Sequence, residues 1–195
     1  MEQQQWSENV IIVDADYVDK VAFNLIVNFE RMLERRIPQA DITKWVECIA
    51  LDGGLRQGDN KTQVLLVYDN NLMENVKPGS LDDELNGKAF SGNIGEFCFS
   101  SIPVEEMTDK EHLFCDSLMH ICSLKEVKRI MVVPDGEKYI EGVKRSLRNV
   151  DKEKHVTVFA MQPLPGGNFR QEILGYSLMA ALGISSEELD KRENI

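Results

Sequence analysis

NVIIVDAD, residues 9–16, is the stretch whose reading decides the fold. Val10, Ile11, Ile12 and Val13 form an unbroken apolar run that ends in Asp14 and Asp16, and a helical pattern starts directly after it. A short run that is apolar on both faces and leads into a helix reads as a strand inside a parallel sheet, covered on both sides. Such a strand carries its last residues to the edge where open α/β sheets keep their sites. RIMVVPDGE, residues 129–137, repeats the layout and ends in Asp135 and Glu137. If the strand order reverses between these two segments, Asp14, Asp16, Asp135 and Glu137 converge on one crevice.

Working outward from the first strand, Val21, Leu25, Phe29, Met32 and Leu33 recur at helical spacing over residues 17–36, and Pro38 stops the helix. Asp41 reads as the cap of a second helix with Ile42, Trp45, Val46, Ile49 and Ala50 on one stripe, ended by Gly53-Gly54. Further strands are expected at residues 62–68, 96–102, 129–134 and 155–161. Thr108-Asp109-Lys110-Glu111 reads as a capping box opening a helix to residue 122, and helices are also expected over 136–150 and 168–182. Residues 70–95, with Pro78, Gly79, Gly87, Gly92 and Gly95, form an irregular excursion, with a short helix around 80–85. The end is a short charged tail, expected to fray beyond a capped turn at 185–188. The alternation of strand and helix predicts a single α/β domain over 1–195, three-layer α/β/α, with a mostly parallel five-stranded sheet, Rossmann-like in the broad sense.

Composition narrows the function. The chain has 195 residues and a net charge of −11, from 33 acidic and 22 basic residues. That balance argues against broad, nonspecific binding to nucleic acid or anionic membrane, while leaving room for a local basic groove. No apolar run approaches the ~20 residues of a membrane span, and MEQQQWSEN does not read as a signal peptide, so a cytoplasmic setting is expected. Cys48, Cys98, Cys115 and Cys122 are scattered in apolar contexts without a CxxC pair and read as buried free thiols.

The four carboxylates have two readings. As ligands, they would repel one another without a cation, and carboxylate oxygens suit Mg²⁺ or Mn²⁺, which activate water in phosphodiester hydrolysis. As structure, Asp14 or Asp16 caps the first helix and Asp135 the helix after the fourth strand. His112, Asp116 and His120 share one helix face at i, i+4, i+8, which reads first as a solvated polar face. Pro165-Gly166-Gly167-Asn168 before a helix reads as a turn and cap, with Arg170 able to reach a phosphate if the loop lies over the crevice. Ile173, Leu174, Leu178, Met179 and Leu182 give the last helix an apolar face for the core or for a homodimer seam.

In this order the residues resemble the NYN branch of the PIN-like nucleases. Asp14-Ala15-Asp16 stands at that family's Asp-x-Asn signature, with Asp16 in place of Asn. Asp116 matches its mid-chain helix Asp. Val133-Pro134-Asp135-Gly136-Glu137-Lys138-Tyr139 stands at its Ser-Gly-Asp-x-Asp-Phe signature, with Pro134 for Gly and Glu137 for Asp. The resemblance implies Mg²⁺ or Mn²⁺ held by Asp14, Asp16, Asp116, Asp135 and Glu137, and RNA as substrate. The opening strand also resembles that of haloacid dehalogenase-like phosphatases, which implies Asp14 as nucleophile, Asp16 as general acid/base, Asp135 at the metal and a lysine such as Lys125 or Lys128. The second motif of that family needs Ser or Thr where strand two ends Val67-Tyr68-Asp69, with Ser100-Ser101 on the next strand as substitutes. The whole chain also resembles an uncharacterised family of Bacteroidales proteins. A third reading keeps the fold without the chemistry, as an interaction or regulatory domain.

Overall fold

The computed structural model describes residues 5–193. Its main sheet has seven strands in the order β5-β6-β3-β1-β7-β8-β9: Ala89–Gly92, Gly95–Pro103, Lys61–Tyr68, Asn9–Asp14, Arg129–Val133, His155–Ala160 and Arg170–Ile173. All neighbours are parallel except β5 and β6, which form an antiparallel pair at one edge. The chain leaves β1 towards β3 and later returns on its other side as β7, so strand order reverses between β1 and β7, the condition for convergence.

The sheet is larger than the five strands expected, because β5 and β9 escape the sequence. Both are four-residue edge strands, AFSG and RQEI, without a buried residue. Short polar edges are how sheets avoid adding further strands, and they leave no hydrophobic pattern to read. The residues of β9 look helical, but pairing with β8 overrides that preference, and helix α5 starts only at Leu174–Ala181. The turn PGGN therefore precedes a strand, and Arg170 lies at the edge opposite the crevice.

Helices cover both faces. Helices α1 (Ala15–Leu33), α2 (Ile42–Asp52) and α5 pack on the side of Ile11 and Val13, whereas α3 (Lys110–Ser123) and α4 (Ile140–Leu147) pack on the side of Val10 and Ile12. Asp41 caps α2 as expected, its Oδ1 accepting from the Thr43 and Lys44 amides. The cap of α3 is Asp109 rather than Thr108, since its carboxylate takes the His112 amide at 2.8 Å. Trp45 is the expected anchor: it is 1% exposed, and its indole N–H donates to Ser177 Oγ at 3.1 Å, joining α2 to α5. Leu174, Leu178 and Leu182 of the last predicted helix are spent in this core.

The excursion is more ordered than its composition suggests. Val76–Lys77 (β4) pairs in parallel with Ala40–Asp41 (β2), and Leu81–Leu85 makes a π-helical turn. Met73, Val76, Leu81 and Leu85 close one end of the α1/α2 core. The charged tail forms helix α6 (Ser186–Glu193). A Ser185–Glu188 capping box starts it, and Arg35 grips Glu188 with Nε at 2.7 Å and Nη2 at 2.9 Å, docking it on α1. Among the described residues no helix is long and apolar enough to cross a membrane.

Candidate functional site

The crevice begins with Asp14, which ends β1 and also caps α1. It is completely buried. Oδ1 accepts the Tyr17 amide at 3.1 Å and Lys110 Nζ at 3.3 Å, and Oδ2 accepts the Tyr139 hydroxyl at 2.6 Å. Asp16, in the first turn of α1, accepts the Asp69 and Asn70 amides at 2.8 and 3.1 Å and Lys110 Nζ at 2.7 Å. The same ammonium lies 3.3 Å from Asp69 Oδ2. Lys110 therefore sits between three carboxylates from the ends of β1, α1 and β3, with its side chain only 17% exposed.

The electrostatics follow from burial and from this pairing. Burial raises the Asp14 carboxyl, opposed by the Tyr139 hydroxyl and the Lys110 charge. Burial alone would pull the Lys110 ammonium down, but its contacts with Asp16 and Asp14 outweigh that and raise it. Burial and the adjoining Asp14 push the Tyr139 phenol up, so it stays a donor. Removing that donor isolates a buried oxygen. Tyr139→Phe is expected to lower stability by about 2 kcal/mol, measured by urea denaturation with an unchanged slope.

The other two carboxylates end differently. Asp135 is buried, but its Oδ1 accepts the Glu137 and Lys138 amides at 3.0 and 3.1 Å. It caps a turn at 136–138, which is why α4 starts at Ile140 instead of 136. Glu137 is exposed and pairs with Lys20 across the mouth at 3.3 Å. Asp14 and Asp16 are thus brought together on Lys110, whereas Asp135 and Glu137 border the other side, by a depression lined by Tyr17, Gly136, Met161 and Leu164. The Tyr17 phenol there is pushed up to about 12 by burial and by Glu137, Asp135 and Asp14.

Asp116 lies elsewhere. It is exposed on the outer side of α3, in a groove with Glu111, His112, Cys115 and Arg145. His112 is engaged by Asp109 at 2.8 Å, and His120 stands edge-on to Trp6. Ser101 donates to Asp82, and Lys128 precedes β7 at the opposite edge, so neither reaches Asp14. The cysteines are free, with Cys122 buried and the other three half-buried.

Lys110, Tyr139 and Asp69 stand in no site motif of their own in the sequence. One signal was available for the first. Helix α3 connects β6 to β7, so its first turn must lie over the C-terminal edge of the sheet, and a lysine there faces the crevice.

The carboxylates as arranged do not fit a divalent cation. Such an ion needs several free oxygens at short range. Here the ammonium occupies the meeting point of Asp14, Asp16 and Asp69, and Asp14, Asp16 and Asp135 also accept from Tyr139 or from backbone amides. Among the described residues no group of three or more His, Cys, Asp or Glu is placed to hold a metal ion.

Fold and site together define a class: a doubly wound α/β protein whose switch-point crevice is closed by an internal lysine–carboxylate network. Residues 3–189 match DUF6621, a family of unknown function, and the chain belongs to that family. No curated protein and no solved structure matches it.

Proposed function

We propose that this protein is a non-enzymatic interaction or regulatory domain that keeps a Rossmann-like scaffold of the kind PIN/NYN nucleases use. One observation carries the reading: the Lys110 ammonium lies 2.7 Å from Asp16 and 3.3 Å from Asp14, the place a nuclease of that type would give to its metal. The fixed ion pair serves architecture, tying α3 to the ends of β1 and β3. The test is incubation of the full chain with labelled single-stranded RNA and Mn²⁺. No cleavage above buffer is expected. Mn²⁺-dependent cleavage abolished by Asp14→Asn would overturn the reading in favour of a metal-dependent ribonuclease.

A second reading is a haloacid dehalogenase-like phosphatase, favoured by the direct contact between Lys110, on the helix entering β7, and Asp14. It places the required lysine at 110 instead of 125 or 128. Against it, Asp14 is sealed from solvent, and Tyr68 ends β3 where Ser or Thr is needed. Turnover of a phosphomonoester with an aspartyl-phosphate trapped on Asp14 would establish it.

A further inference from the structure

At the opposite edge of the sheet, three guanidinium groups gather where α2 ends. Arg129 opens β7 and donates from Nη1 to the Gly53 carbonyl at 2.6 Å. Arg56 donates to the Leu55 carbonyl at 2.8 Å and lies 3.4 Å from that of Leu51. Arg170 opens β9. Gly54 is what lets them approach. Its φ is +98°, and a Cβ there would lie 2.6 Å from Arg129 Nη1 and 3.8 Å from Arg170 Nη1.

The cluster lacks matching negative charge. Among the described residues neither Arg56 nor Arg129 has a carboxylate within ion-pair distance, and Arg170 reaches only Glu172, at 3.8 Å. Asp52 lies nearby, its carboxyl raised by burial and by Glu172. The Arg129 guanidinium is pulled down by burial and then by Arg170 and Arg56. Three cations collect in this way on a chain of net charge −11. The helix-end carbonyls satisfy some of the N–H groups, but a guanidinium has five donors, and its planar fork matches the oxygens of a phosphoryl group.

We infer that Arg56, Arg129 and Arg170 form a binding site for the phosphoryl group of a small phosphorylated molecule. The ligand is small because three guanidinium groups at the end of one helix suit one phosphoryl group, and a net charge of −11 disfavours an extended polyanion. The inference goes beyond the reading of the carboxylate crevice and does not depend on it, since the two sites lie at opposite edges of the sheet.

The experiment is calorimetric titration of the full chain with pyrophosphate, with sodium chloride at matched ionic strength as the blank. Saturable binding to the wild type is expected. Arg170→Ala and Arg56→Ala remove exposed side chains, so their melting temperatures should stay within a few degrees of the parent. Each should weaken binding about tenfold, the effect of one lost charge-assisted contact. Absence of saturable heat with the wild type would overturn the inference. So would equal affinity in both folded variants, which would leave the arginines as caps of α2 alone.

Discussion

Lys110→Met is expected to lower the unfolding free energy by about 3 kcal/mol, the scale for removing one partner of a buried ion pair. Methionine keeps most of the side-chain volume, so the loss reads the charge more than the packing. The completely buried Asp14 then keeps only Tyr17 and Tyr139 as donors, and Asp16 keeps only the amides of Asp69 and Asn70. A double-mutant cycle with Asp16→Asn should return a coupling of about 2 kcal/mol, since these groups touch at 2.7 Å in a half-closed site. The pH dependence has a defined sign. The Lys110 pKa is raised by folding, so its contribution is complete below the unfolded value and disappears only as pH rises through the folded one. Asp14 is also raised, so its ionised form opposes folding, and that opposition fades as pH falls through its folded pKa. Without Lys110 the Asp14 value rises further. The deficit of the variant should therefore be largest at neutral pH and shrink on acidification, as urea denaturation across that range would record.

Trp45→Ala should have an effect of comparable or greater size, about 4 kcal/mol, or a fall in melting temperature of roughly 10 °C. The ring fills the space between α2, α5 and the sheet, and it is 1% exposed. Truncation leaves a cavity and also frees Ser177 Oγ of its indole donor. Trp45→Phe restores most of the volume and loses only that hydrogen bond, because Ser177 still donates to the Leu174 carbonyl at 2.8 Å. It should cost about 1–2 kcal/mol. If the two variants melted alike, the hydrogen bond rather than the ring volume would be holding α5 in place.

The scaffold was legible where burial writes a periodic signal. The apolar runs of β1, β3, β7 and β8 and the stripe of α2 with its Asp41 cap follow from residues that must be hidden from water on one or both faces, whereas the reversal that brings β1 beside β7 was only a condition that the structure meets. The edge strands carried no such signal. Ala89–Gly92 and Arg170–Ile173 are defined by their neighbours' hydrogen bonds, which a local pattern does not encode. At the candidate site, the chemistry of Asp14 and Asp16 was visible, but their partners were not. Lys110 lies 96 residues from Asp14 in sequence and Tyr139 lies 125 away, so only the assembled topology brings them together. The capping alternative held for Asp14, which caps α1, and in altered form for Asp135, which caps a turn ahead of α4.

The most direct test of the Lys110 lock is the effect of Mn²⁺ on thermal unfolding of the wild type and of Lys110→Met, followed in parallel. A ligand that binds only the native state stabilises it by RT ln(1 + [L]/Kd), so the melting temperature keeps rising with ligand concentration above Kd. The account predicts an unchanged wild-type transition, and in the variant a rise with Mn²⁺ concentration, as Asp14, Asp16 and Asp69 lose their resident ammonium and gain oxygens for a cation. A rise with Mn²⁺ concentration in the wild type, whether lost or kept in Lys110→Met, would contradict the account.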